Sequence, residues 1–350
     1  MGITTTIITG PPPVSSEEKP LARRHVEGLD FLRAIAALSV CLYHFSGVAL
    51  PKATNIYMKP AFSYGWAGVD MFFVISGFII PYSLLGKNYA AKQIGPYLLK
   101  RIIRINPPAY IAMVLVLVQW GIIDYLINHN RVYTGNISWQ QVVHNLLFTV
   151  PFTQYKWVVG IFWTLAIEFQ FYIFIGLFFA QLFERGRLWQ FILGFLAVNA
   201  VQYLPFSDFR NFFHFSSLFA MGGVTLLYYS KRIELLNYGA TLLLFSALSY
   251  FQLGWVITAV GIITVFFIVC VQVKGGVFAT IGKMSYSFYL IHVLVGTTAE
   301  FVLIKIISPD TELKKVTITV LCIATALIAS FVYYRLVEQP FIALAKKYGR

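Results

Sequence analysis

Charged side chains are scarce in this sequence. Asp, Glu, Lys and Arg make up 12% of its 350 residues, whereas hydrophobic residues make up 58%. A soluble domain typically carries about 25% charged residues. This shortage excludes a soluble globular domain and predicts a protein whose solvent is the lipid bilayer.

Acidic residues are the scarcer half of the charge. There are 14 Asp and Glu against 27 Lys and Arg, which leaves a formal net charge of +13. Such a surplus often indicates nucleic acid binding, but the sequence has no polar domain that would present a basic face. The cations lie mostly in short loops between apolar runs, as in a multispanning membrane protein. We therefore expect no nucleic acid partner.

Cysteine is rare as well, and Cys41, Cys270 and Cys322 all lie inside apolar runs. Their spacing matches neither a disulfide framework nor a metal site, so we expect no metal. Residues 1–28 lack the apolar run of a signal peptide. They are polar and rich in proline, which predicts a disordered segment.

Long hydrophobic runs, by contrast, are abundant. A window of about 20 residues predicts spans at residues 29–48, 66–85, 108–127, 157–182, 188–204, 211–229, 237–253, 255–273, 285–306 and 316–336. Lys and Arg concentrate in the loops on the side of the N-terminus, which places both termini in the cytoplasm. The predicted fold class is an all-α membrane protein, a bundle of about ten transmembrane helices.

The first span, "LDFLRAIAALSVCLYHF" (Leu29–Phe45), carries Arg33 and His44. Eleven residues of helix separate them by three turns and about 16.5 Å, so both project from one face. A purely structural reading is that the arginine extends to the interface and the histidine is a buried, hydrogen-bonded side chain. Ionisable groups inside a membrane are nonetheless functional candidates, because hydrocarbon makes them costly.

Further polar residues fall inside the second and fourth spans. Asp70 begins the second span at the depth of His44, where a carboxylate also suits a helix N-terminus. Ser76 follows six residues later, and close helix packing explains such a small residue equally well. Glu168 lies within the fourth span and needs either a partner or a function.

A basic cluster of Lys100, Arg101 and Arg104 precedes the third span. Two arginines three residues apart on a helix converge on one anion, which predicts a phosphate clamp. Ordinary cytoplasmic positive charge explains the same residues. Pro107 and Pro108 are expected to end the short helix that carries the cluster.

The ninth span begins with hydroxyl groups, in "GKMSYSFYLIHVLVG" (Gly282–Gly296). Ser285 and Tyr286 lie at its start, and His292 lies two turns later. A hydrogen bond across the bundle is a sufficient structural reason for the histidine.

The sequence resembles the acyltransferase 3 family of integral membrane acyltransferases. The resemblance extends from about Leu29 to Pro340, in the family's order. The matching pieces are "LDFLRAIAALSVCLYHF", "GWAGVDMFFVISGFII", "KRIIRINPPAY", "FWTLAIEFQFY", "SYSFYLIH" and "VEQP". It implies a membrane domain over 29–340, preceded by a cytoplasmic segment 1–28 and followed by a cytoplasmic tail 341–350.

The resemblance also implies an activity, which is transfer of an acyl group from cytoplasmic acyl-CoA to a hydroxyl of an exported or lipid-linked glycan. Acetyl is the expected group, acetyl-CoA the expected co-substrate, and exopolysaccharide or lipopolysaccharide sugar the expected acceptor. The expected location is the bacterial inner membrane. A homodimer is compatible with the small residues of the helices.

Individual residues take roles from this resemblance. The family's first-helix pair corresponds to Arg33 and His44, its R-x-x-R element to Arg101 and Arg104, and its W-x-L-x-x-E element to Trp163 and Glu168. We hypothesise that His44 is the general base or an acyl-accepting nucleophile. Either Asp70 or Glu168 would orient its second ring nitrogen.

The remaining candidates would contact the donor or the acceptor. Arg101 and Arg104, together with Lys100 and Arg33, would hold the CoA phosphates. Contact with the acceptor or the oxyanion is expected from the other polar and aromatic candidates: Ser76, Trp163, Ser285, Tyr286 and His292.

Other functions explain part of the pattern. A proton-coupled transporter also needs His, Glu, Asp and Arg in its spans, although no internal repeat is evident here. A glycan polymerase would carry larger exterior loops with several arginines. An acyltransferase acting on a lipid or an antibiotic differs from the favoured reading only in its acceptor.

Overall fold

The protein is an all-α membrane protein, as predicted. The computed structural model describes residues 6–7, 28–48, 54–184, 187–204, 211–272 and 276–348. Its α-helices are, in chain order, α1 Leu29–Tyr43, α2 Met58–Ala61, α3 Gly68–Tyr82, α4 Ile94–Ile123, α5 Trp139–Leu146, α6 Phe162–Phe179, α7 Leu188–Ala200, α8 Phe212–Tyr229, α9 Leu235–Leu253, α10 Trp255–Cys270, α11 Gly276–Lys283, α12 Ser285–Ile307, α13 Glu312–Tyr333 and α14 Gln339–Lys347. A two-residue antiparallel pair joins β1 (Thr6–Ile7) to β2 (Val271–Gln272).

Among the described residues, 7 helical segments are long and apolar enough to cross a membrane. They are Leu29–Ser46, Met58–Tyr82, Ala91–Asn128, Phe162–Glu184, Phe212–Tyr229, Ser285–Ile307 and Glu312–Lys347. The other three predicted spans coincide with the helices α7, α9 and α10. The sequence prediction therefore located the apolar helices, while the orientation of the termini stays a prediction.

The prediction that Pro107 and Pro108 end a helix is wrong, because α4 continues through both of them. Prolines inside a membrane helix are tolerated where neighbouring groups take over the backbone carbonyls. The prolines leave the carbonyls of Ile103 and Arg104 without their N–H partners, and two tyrosine hydroxyls bond other carbonyls close to them. Tyr286 donates to the Ile105 carbonyl at 2.7 Å, and Tyr333 donates to the Pro108 carbonyl.

A glycine separates α9 from α10. Gly254 has φ +87°, a left-handed conformation that side chains with a Cβ rarely adopt. The chain can therefore reverse direction within one residue, between Leu253 and Trp255. This is why one continuous apolar stretch forms two helices.

The centre of the bundle is the contact between α3 and α8. In α8, 78% of an apolar stretch of 18 residues is buried inside the protein, whereas the buried share of the corresponding stretch in the segment containing α4 is 22%. Gly77 of α3 lies against the backbone of Phe219, and Gly222 of α8 lies against the carbonyl of Val74. A Cβ at either glycine would overlap that backbone, so the two helices approach as closely as their main chains allow.

Two short helices close the end of the bundle where α1 begins. The helix α11 packs on α1, with Gly282 against the Asp30 carbonyl. The helix α14 packs on α4, and the segment 341–350 predicted as a tail begins inside α14. The segment 1–28 lies, apart from residues 6–7 and 28, outside the described residues.

The close contact of α3 with α8 predicts the effect of one methyl group. Gly222→Ala should destabilise the protein by about 1–3 kcal/mol, because the added Cβ overpacks a backbone contact. Gly239→Ala is the matched control, since Gly239 is also helical but has nothing near its Cβ position. It should be neutral or stabilising by up to about 1 kcal/mol.

Thermal unfolding in detergent measures both changes, with thiol labelling of the buried Cys41 and Cys322 as the signal. Equal melting temperatures for Gly222→Ala and Gly239→Ala would contradict the prediction.

Candidate active site in two adjoining cavities

A cavity of about 490 Å³ opens at the end of the bundle where α1, α4 and α12 begin. Cationic side chains dominate its polar lining, and we call it the cationic cavity. The cations that line it are Arg33, Lys87, Lys100, Arg101, Arg104 and Lys346. Its carboxylates are those of Asp30 and Glu168. The excess of positive charge makes the cavity suited to an anion.

Among the residues that the structure describes, no cation of this cavity forms an ion pair with a carboxylate. Within the described ranges, ion pairs join Lys314 to Asp310 and Lys315 to Glu312, and both lie at the far end of α12 and α13. Cations without carboxylate partners retain their capacity to bind phosphate groups.

Aromatic rings and a hydroxyl hold Arg101 in place. Its guanidinium lies 5.1 Å from the centroid of the Tyr172 ring and 5.6 Å from that of Tyr97. It also donates to Ser83 Oγ at 3.0 Å. Arginine is suited to such stacked positions because its planar group keeps its charge while contacting a ring face.

Lys87 lies beside this arginine and was not singled out from the sequence. Its Nζ donates to the Ser83 carbonyl at 2.6 Å. Burial, and then the nearby charges of Lys100 and Arg101, lower the pKa of the Lys87 ammonium. A bound anion would relieve the repulsion among these three cations.

The Glu168 carboxylate is anchored by two hydroxyl groups. Ser76 donates to Oε1 at 3.1 Å, and Tyr172 donates to the same oxygen at 2.6 Å. The glutamate therefore has specific partners within the bundle, which lowers the cost of its burial. It faces the cationic cavity together with Arg101.

A second cavity, of about 480 Å³, lies at the end where α1 finishes, and we call it the histidine cavity. His44 lines it together with Asp70 of α3 and Trp163 of α6. Tryptophan rings form much of its wall, from Trp66, Trp120 and Trp163. The arrangement is a largely apolar pocket with a few polar groups, as is typical of a ligand site.

The helix α1 ends in a π-helical turn, as α4, α6 and α13 do. The α-helical pattern of α1 ends at Tyr43, and His44 begins a π-helical turn that runs to Val48. Single π-helical turns occur frequently at functional sites. The His44 ring lies 5.4 Å from the ring of His292, which is 1% exposed behind it.

Val69 and Tyr289 line both cavities and so form the partition between them. The Tyr289 hydroxyl accepts from Thr164 Oγ1 at 3.0 Å and donates to the Ile161 carbonyl at 3.3 Å. These bonds tie the ring of Tyr289 to α6. Val69 lies on α3 and is held in the partition by packing contacts.

The residues predicted from the sequence, with the exception of His292, line one or the other of these two cavities. The cationic cavity receives those predicted for the donor and several others: Arg33, Ser76, Lys100, Arg101, Arg104, Glu168, Ser285 and Tyr286. The histidine cavity receives His44, Asp70 and Trp163. Arg33 and His44 therefore share a helix but face different cavities.

The structure does not bring Glu168 and His44 together, because they line different cavities. Asp70 shares the cavity of His44 and is 3% exposed. Among the described side chains, no hydrogen bond joins either carboxylate to the imidazole of His44. The catalytic roles of all three residues stay predictions.

The hydroxyl groups at the start of α12 have different availability. The Tyr286 hydroxyl is used on the Ile105 carbonyl. The Ser285 hydroxyl is buried and has no hydrogen-bond partner in the described part of the chain. The Ser285 hydroxyl is therefore more available than the Tyr286 hydroxyl to donate a hydrogen bond into the cationic cavity.

Sequence reasoning missed Lys87, Lys346 and Tyr289 as lining residues. The two lysines look like ordinary cytoplasmic loop charge, and only the fold separates them from other such cations. Tyr289 carried a usable signal, because it lies four residues after Ser285 and three before His292 on one face of a helix. Within the described ranges, no group of three or more His, Cys, Asp or Glu side chains is placed to hold a metal ion.

Comparison with known proteins gives a family match over most of the chain. The model of an acyltransferase domain, acyltransferase 3, matches residues 26–335. The O-acetyltransferases named OatA of Staphylococcus aureus strains NCTC 8325 and COL are each 29% identical over 182 residues, covering 49% of this chain and 27% of the relative. The chain thus aligns with about a quarter of the length of these curated relatives.

No solved structure matches the chain significantly. The family match covers the chain from α1 to α13, which provides the whole lining of the histidine cavity and all of the cationic cavity except the residues of α14. The predicted family is confirmed by this match, and the chain belongs to the acyltransferase 3 family of membrane proteins.

Proposed function

We propose that the protein is a membrane O-acyltransferase that moves an acetyl group from acetyl-CoA to a hydroxyl of a glycan. One observation carries the proposal. A cavity rich in cations and a cavity lined by the half-buried imidazole of His44 lie on either side of a partition formed by Val69 and Tyr289. An anionic donor and a neutral acceptor would then meet at that partition.

The cationic cavity fits the phosphate groups of acyl-CoA. Arg101 and Arg104 lie one turn apart on α4, and guanidinium groups bind phosphates with strong, charge-assisted hydrogen bonds. The cavity volume of about 490 Å³ falls within the usual range of ligand sites. The predicted orientation places this cavity on the cytoplasmic side, where acyl-CoA is made.

His44 would act on the acceptor hydroxyl as general base. The hydroxyl proton moves to an imidazole nitrogen, and the hydroxyl oxygen attacks the thioester carbonyl carbon. The C–S bond then breaks, and the proton passes to the sulfur of CoA. The reaction needs no nucleotide hydrolysis, because the thioester supplies the driving force. The alternative is an acyl-imidazole formed on His44 before transfer.

The acceptor is proposed from the cavity wall and from the relatives. Three tryptophans provide flat apolar surfaces, while Gln119 and Asp70 supply polar groups for an alcohol-bearing ring. The curated relatives are named O-acetyltransferases and belong to a bacterium. We propose an exported or lipid-linked glycan as acceptor and the bacterial inner membrane as the location.

The first prediction from the proposed function concerns donor binding. Acetyl-CoA should raise the thermal stability of the purified protein, because a ligand that binds the folded state stabilises it. Arg104→Gln should weaken that binding about 10- to 100-fold, since it removes a charge-assisted contact worth about 1.5–3 kcal/mol. Arg131→Gln, an exposed loop cation outside the cavity, is the control.

The measurement is the melting temperature as a function of acetyl-CoA concentration. An Arg104→Gln protein stabilised at the same concentrations as the parent would contradict the phosphate assignment. A parent protein that acetyl-CoA does not stabilise would contradict the donor itself.

The second prediction concerns His44. The His44→Ala protein should still be stabilised by acetyl-CoA but should transfer acetyl groups at least about 100-fold more slowly, because general base catalysis is lost. Mass spectrometry of surface glycan from cells carrying each variant gives the acyl mass and the acceptor together. His214→Ala is the control, because His214 hydrogen-bonds to Gln202 away from both cavities. Normal acetylation by the His44→Ala protein would sink the mechanism.

The third prediction concerns the partition. Val69→Trp should place a bulky ring in the partition between the cavities. It should lower transfer at least about tenfold, while acetyl-CoA binding persists. Val69→Ala removes volume at the same position and should leave transfer intact. Equal glycan acetylation by the two variants, both folded and inserted, would show that the acyl group takes another route.

A further inference from the structure

His292 is a buried imidazole with one nitrogen in use and one free. Its Nδ1 lies 2.8 Å from the Tyr289 carbonyl oxygen and 3.1 Å from the Phe288 carbonyl oxygen. Within the described part of the chain, Nε2 has no hydrogen-bond partner although it is fully buried. The side chain as a whole is 1% exposed.

The backbone determines the tautomer of this ring. Carbonyl oxygens only accept hydrogen bonds, so Nδ1 must carry the proton that it donates to them. In a neutral imidazole the other nitrogen then has a lone pair and no proton. Nε2 of His292 is therefore an acceptor without a donor, which is a costly state for a buried polar atom.

The neighbouring rings identify the donor. His44 lies 5.4 Å away between ring centroids, Tyr289 5.9 Å and Phe288 6.0 Å. The Tyr289 hydroxyl is already used on the Ile161 carbonyl, and a phenylalanine ring has no donor. The N–H group of His44 is the remaining candidate among these neighbours.

Packing at the end of α1 supports a fixed relation between the two imidazoles. Phe45, next to His44, places its ring against Gly296, one helical turn after His292. A Cβ at Gly296 would overlap that ring. Thr319 of α13 donates to the Phe45 carbonyl at 2.8 Å. The start of the π-helical turn is therefore held by contacts with both α12 and α13.

We infer that His292 is a positioning residue whose Nε2 accepts the N–H of His44 and thereby selects the His44 tautomer that leaves a lone pair facing the histidine cavity. The inference rests on the proposed acyl transfer and deepens it. His292 would take the part that a carboxylate plays in a catalytic triad. It does so with a neutral group, which avoids a buried charge.

The proton inventory of the step is balanced. When the cavity-facing nitrogen of His44 takes the hydroxyl proton, its other N–H keeps donating to His292, which neither gains nor loses a proton. The imidazolium later gives the same proton to the CoA sulfur. A neutral His292 has no N–H free for an oxyanion, so this role replaces the oxyanion contact expected from the sequence.

Two substitutions at this position test the inference in the full-length protein. His292→Phe keeps the ring volume but has no acceptor, and it should lower kcat about 10- to 100-fold with little change in the KM for acetyl-CoA. His292→Gln offers a side-chain oxygen that accepts, and it should recover a large part of the lost rate. His214→Phe is the matched control and should leave kcat unchanged.

A spectroscopic readout works independently of turnover. In protein labelled with ¹⁵N-histidine, the His44 nitrogens should show one neutral tautomer in the parent and a mixture in His292→Phe. A mixture in the parent, or full kcat in a folded His292→Phe protein, would overturn the inference. If His292→Phe fails to fold, a single His44 tautomer in the parent and a largely retained kcat in His292→Gln support the inference, and the opposite results overturn it.

These measurements separate the inference from the function that it assumes. A parent with one His44 tautomer but no acetyl transfer to any surface glycan would refute the proposed function while leaving the imidazole pair in place. A parent that transfers acetyl groups with mixed His44 tautomers would refute the pair alone.

Discussion

Hydrocarbon penalises every exposed charge and every unpaired backbone group, and this cost organises the whole molecule. Many of the ionisable side chains of the spans line two interior cavities: Arg33, His44, Asp70, Arg101, Arg104 and Glu168. The close contact of α3 with α8, made by Gly77 and Gly222, forms the centre around which the other helices are arranged. Around that centre, α1, α4, α6 and α12 each turn their polar residues inward.

The same cost explains why the two cavities differ in the charge of their lining residues. Cations gather at one end, where water and phosphate can compensate them, and Arg101 is further supported by the rings of Tyr97 and Tyr172. Neutral and aromatic groups gather around His44 at the other end. A partition of Val69 and Tyr289 lets the two environments adjoin without mixing. This separation suits the anionic donor and the uncharged alcohol of the proposed reaction.

Much of the fold was predictable, because hydrophobic runs of about 20 residues mark membrane helices without reference to tertiary structure. The prolines show where that logic fails. Local rules end a helix at Pro107, but α4 continues through both prolines, packed in a bundle where Tyr286 and Tyr333 bond the carbonyls of Ile105 and Pro108. Those tyrosines lie far along the chain, so no local window could have found them.

The sequence by itself determined the fold class and the position of the apolar helices, because these depend on composition and periodicity, and it supplied the candidate residues of the proposed acyl transfer. Only the tertiary structure decided which residues meet. It assigned Arg33 and His44 to different cavities, brought Lys87 beside Arg101, and put His292 behind His44. Such contacts depend on how helices distant in sequence pack, and helical periodicity carries no information about the partner that a face will find.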